Sequence, residues 1–353
     1  MRNDVLEREK IGHILIRAVN WIGDAVMTTP ALMAIRESFA GARITVLANP
    51  TVAPLFSVHE AVDEVVVYER GGRHRGLRGK LRLARELRER GFDLAILLQN
   101  AFDAALIAWL ARIPRRMGYR TDGRGLLLTH GVAVASRTRQ LHHVEYYLGM
   151  LAHFGIEGRE KRLVLTTTTT EDEGVATMLA REGIGPRDFL LAINPGATYG
   201  SAKRWYPDRF AAVADRLARR WNARVVILGG PGEAAIAADI AAAMESPSLV
   251  MAGKTSVREL LALVKRCDFL VTNDSGPMHV AAAFDVPLVA VFGPTDHSTT
   301  SPWMERAALV RQEIECAPCL LRECPTDHRC MTAVTVEDVV NAALRLREGV
   351  CHE

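Results

Sequence analysis

The stretch LVTNDSGPMHVAAAFDVPLVAVFGPTD, residues 270–296, decides the fold. It contains two short apolar runs that are typical of buried parallel strands. The first run ends in the polar turn Asn273-Asp274-Ser275-Gly276-Pro277, and a helical segment follows at once. Ligands of open α/β sheets bind beyond the carboxyl ends of the strands. The stretch therefore predicts an α/β sheet with a binding site at this turn.

The same alternation of strand and helix extends through both halves of the chain. Short Val-, Ile- and Leu-rich runs are separated by segments with helical periodicity, which favours parallel sheets with crossover helices. The predicted strands lie at 13–19, 42–49, 62–69, 92–99, 189–198, 223–230, 248–253, 267–274 and 287–293, and the predicted helices include 24–39, 139–156, 207–221 and 335–348. We therefore expect two Rossmann-like domains with parallel sheets that face an interdomain cleft.

A run of five threonines within residues 163–174 marks the predicted domain boundary. A chain of 353 residues exceeds the usual size of one hydrophobic core. Thr170 and Glu173 have the spacing of a capping box at the start of the next helix. We place the domains at 1–165 and 166–353, and the helix at 335–348 is a candidate to pack back on the first domain.

Charge is distributed unevenly along the chain. Residues 1–165 carry 25 Lys and Arg against 17 Asp and Glu, whereas residues 166–353 carry 19 against 24. Much of the excess lies in residues 70–91, with nine basic and two acidic residues. This segment is either a solvated helix face or a patch for anionic lipid or phosphate. It lacks the aromatic motifs of RNA-binding modules, so we expect no nucleic-acid partner.

Apolar runs are too short to suggest membrane insertion. None approaches the roughly 18 residues that a membrane helix needs, and residues 1–10 lack the apolar stretch of a signal peptide. We therefore expect a cytosolic, soluble protein.

Polar or glycine-rich turns follow four of the predicted strands. Asp24 follows the first strand, at the start of a helix. In the second half the turns are 194–210, 229–233 and 273–277, and they contain Gly196, Thr198, Ser201, Lys203, Glu233, Asp274 and Ser275. Helix amino termini attract phosphate, and glycine permits close approach of the backbone. The turns predict an anion site, although Asp274 and Ser275 could instead simply cap their helix.

Nicotinamide and P-loop chemistries are disfavoured by the same turns. Residues 230–235 match a loose Gly-x-Gly-x-x-Ala fingerprint, but the first strand of the chain has no such turn. The strand after residues 230–235 ends without the acid that a ribose requires, and no Walker-type Gly-x-x-x-x-Gly-Lys-Ser/Thr loop is present.

Three stretches together resemble a known family. NWIGDAVMTTPAL (20–32), NPGATYGSAKRWYPDRF (194–210) and TNDSGPMHVAAAFDVPLVAVFGPTD (272–296) are similar to the lipopolysaccharide heptosyltransferases of glycosyltransferase family nine. The form NWIGDAVM and the cysteine-rich segment most resemble the heptosyltransferase II branch. The resemblance implies a GT-B fold, an ADP-heptose donor on the second domain and a lipid A-linked Kdo-heptose acceptor on the first. It also implies transfer with inversion and no cofactor.

The family pattern implies a role for each candidate residue. Asp24 matches the catalytic base that takes the proton of the acceptor hydroxyl, and Lys203 matches the lysine that meets the donor diphosphate. The other implied donor-binding residues are Thr198, Ser201, Glu233 toward the ribose, Asp274 toward sugar hydroxyls, and Ser275, Gly276, Pro277, Met278 and His279 at the helix start. His142 and His143 are candidates for the acceptor side, and packing or surface positions are the alternative for them. Glu233 could equally be an exposed acid.

Four cysteines lie close together at Cys316, Cys319, Cys324 and Cys330. Their spacing allows a structural zinc site, disulfides or reduced buried thiols. No Asp-x-Asp motif is present, which favours a metal-free transfer, so we assign no metal ligand.

The expected activity is transfer of heptose from ADP-heptose to the heptosyl-Kdo2-lipid A inner core, at the inner face of the cytoplasmic membrane. Two alternatives remain open at this point. One is a heptosyltransferase I or III with a different acceptor, and the other is a non-catalytic nucleotide-sugar-binding protein.

Overall fold

The computed structural model describes residues 7–349. The first six residues, which belong to the segment interpreted above at 1–10, lie outside the described residues, as does Cys351. The chain divides into two compact units, Met1–Thr166 and Thr167–Glu353. Among residues 7–349, no helix is both long enough and apolar enough to cross a membrane.

The first unit is built on a six-stranded parallel sheet in the order β3-β2-β1-β4-β5-β6. Its strands are β1 (His13–Arg17), β2 (Arg43–Ala48), β3 (Glu64–Val67), β4 (Leu94–Leu97), β5 (Arg115–Tyr119) and β6 (His130–Val132). Its helices are α1 (Ile22–Met27), α2 (Thr29–Ser38), α3 (Ala53–Phe56), α4 (Gly76–Glu89), α5 (Phe102–Leu110), α6 (Ser136–Arg139) and α7 (His143–Ala152).

The second unit repeats this architecture, with a parallel sheet in the order β12-β11-β10-β7-β8-β9. Its strands are β7 (Leu190–Asn194), β8 (Arg224–Ile227), β9 (Ser248–Val250), β10 (Phe269–Asn273), β11 (Leu288–Val291) and β12 (Ala307–Val310). Its helices are α8 (Thr169–Arg181), α9 (Pro207–Trp221), α10 (Ala234–Ala243), α11 (Val257–Arg266), α12 (Gly276–Ala283), α13 (His297–Thr300), α14 (Arg329–Thr332) and α15 (Val336–Arg347). Helix α15 packs on α9, β11 and β12.

Both sheets have the doubly wound strand order, which confirms the predicted parallel α/β fold. The chain reverses its direction across the sheet between β1 and β4 in the first unit and between β7 and β10 in the second. Such switch points are where open α/β sheets bind ligands. Strands β7 and β10 are buried along their whole length, which explains why they are continuous apolar runs in the sequence.

Three strands, β5, β6 and β12, were missed by the sequence analysis. β5 has the sequence RRMGY, β6 has only three residues, and β12 is half exposed. None of them forms a long, fully buried apolar run like those of β7 and β10. Their pairing is supplied by the neighbouring strand rather than by local sequence.

The predicted helix at 24–39 is in fact two helices, which separate at Thr28. Pro30 has no N–H to donate to the carbonyl of Val26, four residues earlier. The hydroxyl of Thr29 donates to that carbonyl instead, at 2.7 Å. The prediction of one continuous helix was wrong because it overlooked this proline.

The capping box of α8 lies two residues earlier than predicted. Thr168 is the N-cap, and Glu171 rather than Glu173 completes the box. Arg258 of α11 donates to both carboxylate oxygens of Glu171, which fixes that residue at the helix start and lowers its pKa to about 2. The sequence offers two capping boxes, Thr168 with Glu171 and Thr170 with Glu173, and the contact with Arg258 favours the first.

Candidate functional site

In the first unit, Asp24 and His143 are brought into contact although they are far apart in the sequence. Asp24 lies in the first turn of α1, directly after β1, and His143 is the first residue of α7. Asp24 Oδ1 is 3.3 Å from Nδ1 of His143. The two side chains are 30% and 35% exposed, so both remain open to solvent. The N-cap of α1 is Trp21, so Asp24 does not occupy the capping position.

His142 has a different position from its neighbour. It is the N-cap of α7, and its Nδ1 accepts a hydrogen bond from the N–H of Val144 at 3.2 Å. The side chain is only 7% exposed. The structure therefore places His143 beside Asp24 and uses the His142 side chain to cap α7.

Two tyrosines of α7 flank the His143 ring. The ring centroids of Tyr146 and Tyr147 lie 6.4 and 6.3 Å from that of His143. Burial, followed by the charge of Asp24, raises the pKa of Tyr147 well above its usual value, so this phenol stays neutral. These rings form an apolar support that restricts the orientation of the imidazole.

Arg124 is a buried residue that the sequence analysis missed. Its side chain is fully buried, and it donates from Nη2 to Asn100 Oδ1 at 2.7 Å and from Nε to the Tyr119 carbonyl at 2.8 Å. Asn100 in turn donates to the hydroxyl of Tyr146 at 2.7 Å. Burial lowers the pKa of Arg124 to about 10, which leaves it charged at neutral pH. This network connects the end of β4 to the helix that carries His143.

A second missed cluster lies at the carboxyl edge of the same sheet. The guanidinium of Arg17, at the end of β1, is buried and lies 5.4 Å above the ring of Tyr68. The Tyr68 hydroxyl donates to Asp103 Oδ2 at 3.0 Å, and Asp103 also pairs with Lys80. Burial and the Asp103 charge raise the pKa of Tyr68 to about 12. Arg17 looks like an ordinary strand residue in sequence, so only the fold reveals this cluster.

In the second unit, Lys203 and Asp274 form a nearly buried ion pair. Lys203 Nζ lies 2.6 Å from Asp274 Oδ2, and the side chains are only 11% and 5% exposed. The hydroxyl of Thr295 donates to the same carboxylate oxygen at 2.6 Å. The ammonium also lies 5.6 Å from the ring of Tyr199. The structure therefore joins two residues that the sequence analysis had assigned to different parts of the donor.

The side chains of Ser275 and Asp274 form no capping hydrogen bond to α12, so that alternative interpretation was wrong. Ser275 is the N-cap residue, but its side chain makes no cap hydrogen bond. Its hydroxyl instead accepts from Asn194 Nδ2 at 2.8 Å and lies 3.2 Å from the Thr272 hydroxyl. These contacts join the ends of β7 and β10 and leave the first turn of α12, with Gly276 and Pro277, without a side-chain cap.

Glu233 lies beside Gly196, where the ends of β7 and β8 meet. Its carboxylate accepts a hydrogen bond from the N–H of Gly230 at 2.7 Å. A Cβ atom on Gly196 would lie 2.1 Å from Glu233 Oε1, so only glycine leaves room for the carboxylate. Glu233 is thus a positioned acid rather than a freely exposed one.

The remaining donor-side candidates differ in how accessible they are. Thr198 and Ser201 are exposed on the loop after β7. His279 is 3% exposed, and Met278 is fully buried with its N–H donating to the Ser275 carbonyl at 3.1 Å. The structure therefore does not bring the side chain of Met278 to the surface of the site.

The cysteine segment forms no disulfide among the described cysteines, so the disulfide interpretation was wrong. Cys330 is buried, and burial together with the nearby thiols of Cys316, Cys319 and Cys324 raises its pKa to about 11. Within residues 7–349, no group of three or more His, Cys, Asp or Glu residues has a geometry that would hold a metal ion.

Comparison with known proteins identifies the family. The model of glycosyltransferase family 9 (heptosyltransferase) matches residues 80–329. The chain belongs to this family. It is therefore a glycosyltransferase, and the non-catalytic alternative is wrong.

Relatives with established names agree with this assignment. The lipooligosaccharide heptosyltransferase 2 of Campylobacter jejuni is 30% identical over 94% of this chain and 98% of its own length. The structure of Escherichia coli ADP-heptose LPS heptosyltransferase II matches with a TM-score of 0.80 and 26% identity, covering 96% of this chain and 99% of that one. A family 9 glycosyltransferase from Veillonella parvula gives a TM-score of 0.87 and 25% identity, covering 96% and 98%. The predicted GT-B fold is confirmed.

Proposed function

We propose that this glycosyltransferase moves heptose from ADP-heptose to a lipid A-linked heptosyl-Kdo acceptor and so adds the second heptose of the lipopolysaccharide inner core. The relatives named heptosyltransferase 2 and heptosyltransferase II support this choice of reaction. The first unit takes the acceptor, and the second unit takes the ADP-heptose. The enzyme works at the inner face of the cytoplasmic membrane, where a lipid-linked acceptor is accessible from the cytosol.

In this reaction Asp24 acts as the general base, and the position of its carboxylate is the observation that supports this role. The Asp24 carboxylate is held by His143 at the carboxyl end of β1, yet it remains about a third exposed. A carboxylate that is positioned but accessible can take the proton of an acceptor hydroxyl as that oxygen attacks the anomeric carbon. The bond to the ADP oxygen breaks on the opposite face of the sugar, which gives inversion. His143 orients Asp24 and lies on the acceptor side.

The leaving diphosphate is stabilised by Lys203 and by the first turn of α12. An ammonium group and a helix amino terminus both favour the negative charge that develops on ADP. Asp274 accepts hydrogen bonds from the sugar hydroxyls and holds Lys203 in place. Glu233 accepts from the ribose hydroxyls, and Thr198 and Ser201 contact the donor from the loop after β7.

The test is release of ADP by the purified enzyme from ADP-heptose, with two acceptors compared side by side. We expect turnover with heptosyl-Kdo2-lipid A and little with Kdo2-lipid A. A preference for Kdo2-lipid A would indicate the first heptose instead. Turnover with neither acceptor, while an inner core that already carries two heptoses is accepted, would indicate a later transfer.

A further inference from the structure

Helices α4 and α5 of the first unit lie side by side and are connected at both ends. Lys80 of α4 pairs with Asp103 near the start of α5. Arg88 near the end of α4 donates to the Leu110 carbonyl at the end of α5, at 3.0 Å. The two helices therefore run in the same direction, and their solvent-facing sides form one continuous surface, which we call the α4–α5 face.

Large apolar side chains are exposed along this face on both helices. Leu77 and Leu81, one turn apart on α4, are 69% and 45% exposed. Phe102 and Trp109, two turns apart on α5, are 48% and 50% exposed. Residues spaced by four and by seven lie on the same side of a helix. The four side chains are thus two aligned pairs rather than isolated surface residues.

Arginines without acidic partners flank the two leucines. Arg75, Arg78, Arg82 and Arg85 are all exposed, and within the described part of the chain none of them forms an ion pair. The helical spacing places Arg78, Arg82 and Arg85 next to Leu77 and Leu81 on the same half of α4. Glu86 does not neutralise them, because it pairs with Arg73 and His74. Glu89 is the acid exposed on this half.

The far end of the face contains a cavity of about 430 Å³. Arg88, Trp109, Arg112 and Arg116 line it together with neighbouring apolar residues. Arg88 and Arg116 also donate to carbonyl groups, which holds their guanidinium groups in place. Fixed guanidinium groups suit a phosphate, and tryptophan is favoured where apolar and polar phases meet.

We propose that the α4–α5 face is a docking surface for an anionic lipid bilayer. The apolar side chains enter the boundary between headgroups and acyl chains, and the arginines bind headgroup phosphates. Two identical faces would bring unpaired arginines together, which disfavours self-association through this surface. The inference rests on the proposed function only in that a lipid-linked acceptor requires the enzyme to reach a membrane.

The experiment is co-sedimentation of the full chain with vesicles of phosphatidylcholine, with and without phosphatidylglycerol. The apolar variant carries Leu77→Gln and Leu81→Gln, and its control is Leu126→Gln, because Leu126 is 98% exposed in the same unit. The basic variant changes Arg75, Arg78, Arg82 and Arg85 to Gln. Its control changes four exposed arginines of the second unit to Gln: Arg181, Arg187, Arg220 and Arg224.

We expect wild type and both controls to bind the anionic vesicles, and we expect this binding to weaken at high salt. Each lost arginine should weaken binding about fivefold, and the apolar variant should bind at least about fivefold more weakly while it keeps its salt dependence. The proposal would be overturned if wild type did not bind the anionic vesicles, or if the apolar variant bound them as tightly as wild type. A change of oligomeric state in sedimentation velocity, with unchanged vesicle binding, would also overturn it.

Heptose transfer to detergent-dispersed acceptor separates this proposal from the proposed function. Both variants should keep wild-type turnover in detergent, because none of the changed residues contacts Asp24 or Lys203. Lost turnover in detergent by a folded variant would contradict docking as the role of this face. A wild type that binds vesicles through the face but transfers no heptose supports the docking surface and contradicts the proposed function.

Discussion

The ammonium of Lys203, on the loop after β7, lies 2.6 Å from the carboxylate of Asp274, directly after the neighbouring strand β10, and both side chains are nearly buried. A buried charge that loses its partner is strongly destabilising, whereas removal of both charges is often tolerated. The pair therefore links the stability of the second unit to the geometry of the proposed donor site.

The first prediction is a double-mutant cycle on this pair. Lys203→Met or Asp274→Asn alone should cost about 3 kcal/mol of unfolding free energy, because each leaves one buried charge without its partner. The double variant should recover most of that stability, since no buried charge remains. Its affinity for ADP should stay at least about tenfold below wild type, because the cation is gone. Thermal unfolding and titration calorimetry measure the two effects, and a double variant with normal ADP affinity would contradict the role of Lys203.

The second prediction concerns the glycine beside Glu233. The Cβ of Gly196→Ala would occupy the position of the Glu233 carboxylate, which is the mobile end of a side chain and can move away. We expect the melting temperature to change little and the affinity for ADP to fall about tenfold, the cost of one charge-assisted hydrogen bond. Gly232→Ala is the control, in the turn that contains Glu233, because a Cβ at Gly232 would meet no atom within 4 Å outside its chain neighbours. Equal ADP affinity in the two variants would show that Glu233 does not contact the donor.

The third prediction is an acid sensitivity of the first unit. His59 is 2% exposed, and burial lowers its pKa to about 4. The folded state therefore keeps this imidazole neutral where the unfolded chain, with an ordinary pKa near 6.5, takes up a proton. The stability that neutral His59 supplies is complete above about pH 6.5 and is lost as the pH falls toward 4, by up to about 3 kcal/mol. Unfolding free energies of wild type and His59→Gln between pH 7 and 4 should show a smaller pH slope in the variant, and parallel curves would contradict the assignment.

Much of the fold could be predicted because the central strands have a local signature. β1, β4, β7, β8, β10 and β11 are apolar runs followed by turns, and the candidate site residues lie mostly in these turns. Strands β5, β6 and β12 could not be predicted from periodicity, because they depend on pairing with neighbouring strands. The division of the first long helix could not be predicted from periodicity either, because it depends on the missing N–H of Pro30. The start of α8 could not be predicted from local sequence either, because the contact of Arg258 with Glu171 stabilises that capping box rather than the one with Glu173.

The candidate site was predictable where a motif placed its residues and unpredictable where only tertiary contacts did. Asp24, Lys203 and Asp274 lie in distinctive turns. Arg124 and Arg17 lie in ordinary sequence, and burial alone distinguishes them. The contact between Asp24 and His143 required the fold as well, because no local pattern links the end of β1 to the start of α7.

The central claim is that Asp24 takes the proton of the acceptor hydroxyl, and turnover by Asp24→Asn tests it most directly. Asparagine keeps the shape of the side chain and its hydrogen-bonding reach toward His143 but cannot accept a proton. Asp24 lies within the first turn of α1, so the substitution should cost less than about 1 kcal/mol of stability. The account predicts a loss of about 10²–10⁴ in turnover, with melting temperature and ADP affinity close to wild type. Near-normal turnover in a folded Asp24→Asn enzyme would contradict it.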